Sequence, residues 1–477
     1  MTEQLVIVGA GMVGHRVAEE MASDPAFEVH LIGDEEYHPY NRILLSEVLA
    51  GRADFNSLTL PEPHASVRTR RGSSAVAIDR EARRVLLADG GEVRYDKLVL
   101  ATGARAFVPP IEGLEADPKH VHVLRTWDDC RDVTARAVNA KHAVVVGAGL
   151  LGLEAACGLR RRGVPVTVLD LMDRPMATQL DEAPAAALAS ALRNLDIDLR
   201  LGVSVAEVIS AYGETVAVRL TDDSVLAADL LLLSCGIRAQ VGLAEAAGLA
   251  VDRGILVGED LATEDPNIFA VGDCAQPPSG MTGLLAPGWR QAEELASRLT
   301  NRGGDLGEMA PEVVKLKAAG VDLVTMGLRA SAAGEGQRVI TLSDPASGRH
   351  VELVLSEEEL TGVTCIGMPE LSPSLTVHFE RRTPLPLDPF TLLAPEAKAE
   401  AVSPFHMPGG TTICRCNTVT KNDIVHAWED GADSVQKVAG ATRATTGCGG
   451  CTEAVCGLVD WLNASDSTAG VQASLGG

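Results

Sequence analysis

The sequence predicts an α/β fold in which two similar strand–turn–helix units follow one another. Two stretches carry this prediction, "QLVIVGAGMVGHRVAEEM" at the start of the chain and "HAVVVGAGLLGLEAACGLRRRG" further along. In each, a short apolar strand runs into a Gly-x-Gly-x-x-Gly turn and then into an amphipathic helix. The composition agrees, because 46% hydrophobic residues, 3% aromatics and 47 glycines suit close backbone packing. A length of 477 residues indicates about three domains.

Charge and composition exclude several classes of function. A net charge of −24 argues against nucleic-acid binding, which needs a basic face. The start, "MTEQLVIVGAG", has no basic region and no long apolar core, so no signal peptide is predicted. No apolar stretch approaches the roughly 18 residues of a membrane span. The ten cysteines do not form the pattern of a secreted disulfide framework, and we expect a cytoplasmic protein without membrane contact.

The first unit has the spacing of a dinucleotide-binding turn. Gly9 makes the turn, Gly11 lets a pyrophosphate approach the backbone, and Gly14 packs the helix against the strand. The helix N-terminus then faces the phosphates with the positive end of its dipole. Asp34 and Glu35 end the next strand, about twenty residues further on, where a carboxylate can bind ribose hydroxyls.

The second unit repeats this arrangement with Gly147, Gly149 and Gly152, and its next strand ends at Asp170. Two such units predict two Rossmann-like domains that bind two different dinucleotides, one resident and one exchanging. Asp170 can accept hydrogen bonds from a ribose 2′-hydroxyl and repels a 2′-phosphate, which favours NADH over NADPH. Arg174 lies close enough in the sequence to leave NADPH open.

Further motifs resemble those of the two-dinucleotide-fold flavoprotein reductases, the family of ferredoxin, rubredoxin and nitrite reductase flavoproteins. They are "PYNRILLSE", similar to the "PYDRxxLS" flavin loop of the family, "YDKLVLATGARAFVPPIEG", "NIFAVGDCA" and "APGWRQAEELA". The resemblance covers residues 1 to about 300 and implies FAD in the first domain and NADH in the second. The residues that it places at the flavin are Arg42, Ser46, Ala101, Thr102, Gly103, Asp273 and Trp289.

The chain also departs from this family. Many relatives have a lysine after the "LS" of the flavin loop, and it pairs with a helix acid; here Glu47 stands in that place. Glu154 occupies the position of the helix acid, and the sequence leaves its partner open. Residues 1–300 contain no close cysteine pair, so a flavin-to-disulfide relay is not expected. We expect Cys157 and Cys274 to be packing residues.

Composition divides the chain into segments. Residues 310–383 have strand-length apolar runs separated by turns, and the stretch that follows is too rich in proline for regular structure. The predicted segments are an FAD-binding domain (1–120 and 253–305), an NADH-binding domain (121–252), a small α/β domain (306–383), an extended proline-rich linker (384–410), a helical domain (411–465) and a flexible tail (466–477).

Four cysteines stand close together near the C-terminus in two pairs, Cys414 with Cys416 and Cys448 with Cys451. A C-x-C pair is tighter than the spacing of structural zinc sites, and four thiolates equally suit a [2Fe–2S] cluster. From spacing alone, zinc and iron–sulfur remain alternatives, whereas a disulfide is disfavoured in a reducing compartment. Cys456 follows and is expected to be buried rather than a fifth ligand.

The sequence around these cysteines predicts a small helical module. Thr420 and Asp423 form a capping box, a second short helix is predicted to end at Gly440, and "GCGGC" opens a third helix with N–H groups available to cluster sulfurs. Residues 412–462 resemble the bacterioferritin-associated-ferredoxin-like [2Fe–2S] domain, which implies a cluster held by the four cysteines. Fusion to a flavoprotein favours iron–sulfur over zinc, because zinc has no redox chemistry.

The order of these domains resembles the N-terminal half of the large subunits of NADH-dependent assimilatory nitrite reductases. The catalytic half of those enzymes, with its sirohaem and [4Fe–4S] cysteines, is not found in this sequence, and the layout resembles the electron-transfer subunits of assimilatory nitrate reductases. This resemblance implies that NADH reduces FAD and that electrons leave through the [2Fe–2S] cluster to a molybdenum nitrate reductase catalytic subunit. Two alternatives stay open: a nitrite reductase or ferredoxin-type acceptor, and a flavoprotein whose C-terminal module is a non-redox zinc docking domain. Hydride transfer depends on alignment more than on an acid or base, so no general base is assigned.

Overall fold

The computed structural model describes residues 2–114, 121–211, 214–301, 313–394, 407–414, 416–447 and 449–474. Cys448, one of the four predicted ligands, and residues 395–406 of the predicted linker lie outside the described residues. Within the described part of the chain, no helix is both long enough and apolar enough to cross a membrane.

The elements before residue 115 are β1 (Glu3–Val8), α1 (Met12–Met21), β2 (Phe27–Ile32), α2 (Leu45–Leu49), β3 (Arg68–Arg70), β4 (Ala75–Asp79), β5 (Arg84–Leu87), β6 (Glu92–Arg94), β7 (Lys97–Leu100) and β8 (Ala104–Ala106). The next part contains β9 (Val121–His122), α3 (Trp127–Ala137), β10 (Ala143–Val146), α4 (Leu150–Arg161), β11 (Val166–Asp170), α5 (Glu182–Asn194), β12 (Ile197–Leu201), β13 (Val205–Ala211), β14 (Glu214–Leu220), β15 (Val225–Ala227), β16 (Leu230–Leu233), β17 (Ile237–Ala239) and α6 (Gly242–Ala246).

The remaining elements of the first 301 residues are β18 (Ile255–Leu256), β19 (Ile268–Ala270), β20 (Ala275–Gln276) and α7 (Leu285–Leu299). Those that follow are β21 (Val313–Ala318), β22 (Val321–Gly327), β23 (Arg338–Asp344), β24 (Arg349–Leu355), β25 (Leu360–Ile366), α8 (Ser372–Glu380), β26 (Thr412–Cys414), β27 (Val419–Thr420), α9 (Lys421–Glu429), α10 (Val435–Thr442) and α11 (Thr452–Ser474).

Two five-stranded parallel sheets are the centres of the first three hundred residues, and smaller sheets such as β4-β5-β6 and β13-β14-β15 accompany them. The first sheet has the order β19-β7-β1-β2-β3 and the second the order β12-β11-β10-β16-β9. The central strands are continuous apolar runs because helices cover both faces of such sheets. β19 pairs with β7, so the chain returns to the first sheet after building the second. The predicted fold class, α/β with tandem Rossmann-like domains, is confirmed.

The third domain is an antiparallel sheet of order β21-β22-β25-β24-β23, with α8 packed on it through Leu375 and Phe379. The proline-rich stretch that follows differs from the expected extended tether over its first part. Pro389–Leu393 forms a short 3-10 helix, and Leu392 is buried in the core of this domain. Burial of leucine side chains between the prolines explains why this part lies against the sheet.

The C-terminal module consists of a short β26–β27 hairpin and three helices around a core that includes Ile424, Val438 and Val455. The predicted capping box of α9 is present. The predicted end of the second helix at Gly440 is wrong, because α10 continues to Thr442 and the left-handed Arg443 (φ 62°) ends it. Helix α11 continues to residue 474, into the segment predicted to be a flexible tail.

Candidate functional site

A cavity of about 2570 Å³ lies between the first, second and third domains and the C-terminal module. Most of the predicted flavin-side residues and three of the predicted cysteines line it. They are Gly9, Gly11, Asp34, Glu35, Arg42, Ala101, Thr102, Gly103, Glu154, Asp273, Trp289, Cys414, Cys416 and Cys451. Gly14, Ser46 and the glycines of the second unit do not belong to its lining.

The first glycine turn is shaped to hold a phosphate. Gly9 has a φ of 111°, and a side chain there would overlap the carbonyl oxygen of Ala101. A side chain at Gly14 would overlap the carbonyl of Gly9, so this residue packs α1 against β1 as predicted. Gly11 caps α1 without a side-chain hydrogen bond and faces the cavity, which leaves backbone N–H groups for an anion. These residues fit the pyrophosphate of FAD.

The second glycine turn has the same construction at the carboxyl edge of the second sheet. Side chains at Gly147 and Gly152 would overlap the carbonyl oxygens of Ser234 and Gly147. Gly149 caps α4 without a side-chain bond, and no atom lies within 4 Å of the place where its Cβ would stand. This open approach to a helix N-terminus fits a second dinucleotide phosphate.

Asp170 lies beside the second glycine turn and accepts a hydrogen bond from the N–H of Ala148 at 2.6 Å. Arg174, whose position in the sequence leaves NADPH possible as the cofactor, is bonded to other groups. Its Nε donates to the carbonyl of Leu180 at 3.2 Å, and its guanidinium pairs with Asp173 at 2.9 Å. Asp170 is the last residue of β11, and its carboxylate suits a ribose diol rather than a phosphate.

Glu35 is held at the edge of the cavity by two donors. The guanidinium of Arg42 bonds it at 2.8 Å, and the hydroxyl of Tyr40 donates to it at 2.6 Å. Burial raises the pKa of Tyr40, which keeps this hydroxyl protonated and donating. β2 ends at Ile32, so Asp34 and Glu35 follow the strand and do not end it as predicted. The two donors fix the carboxylate of Glu35 at the cavity edge.

Asp273 has a partner that sequence reasoning missed. Arg125 donates to its carboxylate at 2.6 Å and to the carbonyl of Ala104 at 3.1 Å. Arg125 follows the apolar run "VHVL", and no motif marks it in the sequence. The pair places a cation and an anion side by side on the cavity wall, where the hydroxyl and phosphate groups of a dinucleotide find both donors and acceptors.

Glu154, whose partner the sequence left open, is bonded on two sides. It is 6% exposed, and the hydroxyl of Ser46 donates to its Oε2 at 2.6 Å. Lys317 of β21 donates its backbone N–H at 3.1 Å and places Nζ 3.8 Å from Oε1. Ser46 lies behind the cavity wall and supports Glu154. The lysine that pairs with the helix acid therefore comes from the third domain, not from the residue after Ser46.

Trp289 lies between the cavity and the C-terminal module. It is 6% exposed, and its indole N–H donates to the carbonyl of Met12 at 3.3 Å. The guanidinium of Arg16 stands 5.8 Å from the ring centroid. Met12, Leu60 and Trp289 form a small buried cluster against which Cys416 packs. A fixed apolar wall thus joins the flavin side of the cavity to the cysteines.

Cys414 of the module has the surroundings of a thiolate ligand. A hydrogen bond from Cys451 and the backbone N–H groups of Thr445 and Asn417 lower the pKa of Cys414 to about 6, against an opposing effect of burial. Among the described residues, which exclude Cys448, no group of three metal-binding side chains is assembled. The donor set fits a metal centre held by thiolates.

The other cysteines have no such surroundings. Cys157 and Cys274 are buried as predicted, and burial raises the pKa of Cys157 to about 12 and also raises that of Cys274. The prediction that Cys456 is buried is wrong. It lies on the exposed face of α11, with its Sγ 3.7 Å from the carboxylate of Asp460.

Known proteins resemble the chain in both its parts. Residues 3–296 match the family described as pyridine nucleotide-disulphide oxidoreductase. Residues 412–461 match the BFD-like [2Fe-2S] binding domain. Among solved structures, a chain of the covalent putidaredoxin reductase–putidaredoxin complex superimposes with a TM-score of 0.70 and 29% identity, over 82% of this chain and 95% of that one.

Several relatives match nearly the whole chain. It is 33% identical to the assimilatory nitrate reductase electron transfer subunit of Bacillus subtilis, over 98% of this chain and 60% of the relative. It is 34% identical to the nitrite reductase [NAD(P)H] large subunit of Klebsiella oxytoca, over 94% of this chain and 48% of the relative. The chain therefore spans about half to three-fifths of the length of these relatives.

Proposed function

The chain belongs to the pyridine nucleotide-disulphide oxidoreductase family, and we propose that it passes electrons from NADH to the catalytic subunit of an assimilatory nitrate reductase. In this proposal it is an NADH-dependent FAD oxidoreductase with a [2Fe–2S] domain, and the two family matches support this enzyme class and these cofactors. NADH supplies two electrons as hydride, FAD accepts them, and an iron–sulfur cluster passes single electrons, a task that zinc cannot perform.

One observation carries the proposal: flavin-side residues and cluster-type cysteines line the same cavity. Gly11 and Asp273 stand on its first-domain wall, while Cys414, Cys416 and Cys451 stand on the wall formed by the C-terminal module. Electrons that enter at the flavin side have a short route to the cysteines without leaving the protein. A module that only docked to a partner would not need its cysteines there.

The residues of the chain have separate tasks in this proposal. The two glycine turns bind the pyrophosphates of FAD and NADH, and Asp170 binds the ribose of NADH. Glu154, supported by Ser46 and Lys317, fixes the junction of three domains beside the flavin. Trp289 and its apolar neighbours exclude water between the cavity and the module. The thiolates of Cys414, Cys416, Cys448 and Cys451 hold the cluster.

The acceptor is tested with purified components. The protein, reduced by NADH, is mixed with a molybdenum nitrate reductase catalytic subunit and nitrate, and nitrite formation is measured. We expect NADH-dependent turnover, and none when either protein is omitted. If turnover occurs only with a nitrite reductase catalytic partner, the acceptor is nitrite reductase and not nitrate reductase. The similarity to the Klebsiella oxytoca relative favours this alternative.

A further inference from the structure

Asn41 joins the flavin-side loop to the C-terminal module. It is 2% exposed and begins the 3-10 helix Arg42–Leu44, where its Oδ1 accepts the N–H of Ile43 at 3.1 Å. Its amide nitrogen donates to the carbonyl of Thr446 at 3.0 Å and to the carbonyl of Gly447. One side chain therefore caps a helix in the first domain and holds two consecutive carbonyls of the module.

Only an amide meets both demands at this position. The cap needs an acceptor, and the two carbonyls need two N–H donors, which fixes the orientation of the Asn41 amide. An aspartate, which the "PYDRxxLS" pattern has here, would keep the cap. It would also bring a carboxylate without a proton against two carbonyl oxygens. Asparagine at this position therefore suits a chain in which the C-terminal module packs on this loop.

The loop that Asn41 holds is seated closely on the cavity wall. A side chain at Gly447 would stand 2.6 Å from Cβ of Cys416 and 3.0 Å from the ring of Trp289. A side chain at Gly449 would stand 3.1 Å from Leu44. The loop therefore cannot move closer to Cys416, Trp289 or Leu44. Asn41 of the first domain holds it through the carbonyls of Thr446 and Gly447.

Ion pairs and hydrogen bonds on the other side of the loop support the same placement. Asn417 donates to the carbonyl of Arg443 at 2.7 Å and to the hydroxyl of Thr446 at 3.2 Å. The guanidinium of Arg16 donates to Asn417 at 3.2 Å, and that of Arg443 pairs with Glu20 at 2.8 Å. The Asn41 side chain is more deeply buried than the side chains of the Arg443–Glu20 pair. That ion pair is partly exposed, so solvent screens it and weakens its contribution.

We propose that Asn41 is a positioning residue: it fixes Thr446 and Gly447, which lie against Cys416 and Trp289, to the loop of residues 39–46 on the flavin side, and so sets the separation that electrons cross. The inference rests on the proposed function for its electron-transfer consequence, while the structural link between the two loops stands without it. Asn41 itself touches no reacting atom in this account. It acts through the backbone of Thr446 and Gly447.

The test compares three variants of the full chain with both cofactors bound. Asn41→Asp keeps the cap and removes the donors, and Asn41→Ser keeps a small neutral acceptor that cannot span both carbonyls. Asn139→Asp adds the same charge at an exposed position that does not contact the module. Flavin absorbance and iron content establish that each variant is loaded.

The first measurement is hydrogen exchange of the amides of residues 441–447. Loss of two hydrogen bonds predicts exchange about tenfold faster or more in Asn41→Asp, a smaller increase in Asn41→Ser and no change in Asn139→Asp. Unchanged exchange in both Asn41 variants would overturn the proposal, and this readout does not depend on electron transfer.

The second measurement separates the two electron-transfer steps by rapid mixing with NADH. We expect cluster reduction, taken relative to the rate of flavin bleaching of the same variant, to be slowed about fivefold or more in Asn41→Asp, a change of about 1 kcal/mol, and to be unchanged in Asn139→Asp. Faster exchange with unaltered cluster reduction would overturn the positioning role. Failure of NADH to reduce the cluster in the wild-type protein would instead contradict the proposed function. In that case the hydrogen-exchange result would still test whether Asn41 holds the loop of Thr446 and Gly447.

Discussion

Lys317 of the third domain donates its backbone N–H to Glu154 of α4 at 3.1 Å and holds its ammonium 3.8 Å from the same carboxylate oxygen. Glu154 is 6% exposed, so this carboxylate depends on its partners rather than on water. The contact ties the third domain to the wall of the cofactor cavity. The third domain thereby contributes to the site.

Replacing Lys317 by methionine should lower the free energy of unfolding by about 1–2 kcal/mol, because it leaves a buried carboxylate without its cation. The backbone donor and the length of the side chain are kept. Chemical denaturation of the loaded protein measures the change. Lys315→Met, at an exposed position two residues earlier on the same strand, is the matched control and should change stability by less than about 0.5 kcal/mol. Equal effects of the two variants would contradict the role of Lys317.

Asp170→Asn should shift the cofactor preference toward NADPH. The amide removes the charge that repels a 2′-phosphate and keeps an acceptor for the N–H of Ala148. We expect the ratio of kcat/KM for NADH to that for NADPH to fall about tenfold or more, a difference of about 1.4 kcal/mol. Asp196→Asn, at an exposed position before the start of β12 and therefore at the opposite end of the sheet, should leave the ratio unchanged. A constant ratio in Asp170→Asn would assign the preference to other residues.

Gly9→Ala should abolish FAD binding. The added methyl group would overlap the carbonyl of Ala101, and the φ of 111° is strained for any residue with a side chain. Absorbance of the purified protein measures the flavin content. Gly242→Ala is the control, because no atom lies within 4 Å of its new Cβ. Full flavin content in Gly9→Ala would show that the phosphate is held elsewhere.

Cys451→Ser should remove the iron–sulfur cluster, whereas Cys456→Ser on the same helix should keep it. Cys451 is 8% exposed and hydrogen-bonds Cys414, while Cys456 faces solvent. Iron analysis and the visible absorbance of the cluster distinguish the two variants. Loss of the cluster in both, or in neither, would contradict the assignment of the ligands.

The parts of the fold and site that the sequence predicts are those encoded by local patterns. Gly9, Gly147 and their neighbours follow strands directly, so one short stretch holds both the turn and its context. The capping box at Thr420 and Asp423 is local in the same way, and it is present.

Residues that act across domains leave no such pattern. Lys317 meets Glu154, Arg125 meets Asp273 and Asn41 meets Thr446 only after the chain has folded, so nothing adjacent in the sequence marks these pairs. The wrong end predicted for α10 has a different origin. Gly440 fits inside the helix, and the backbone of Arg443 adopts the left-handed conformation instead.

Anaerobic titration of the protein with NADH, followed by electron paramagnetic resonance, tests the central claim most directly. The proposed route predicts that NADH alone produces the signal of a reduced [2Fe–2S] cluster, that Cys451→Ser lacks this signal, and that Gly9→Ala shows it only with dithionite. A protein that contains zinc instead of iron, or a cluster that dithionite reduces and NADH does not, would contradict the account.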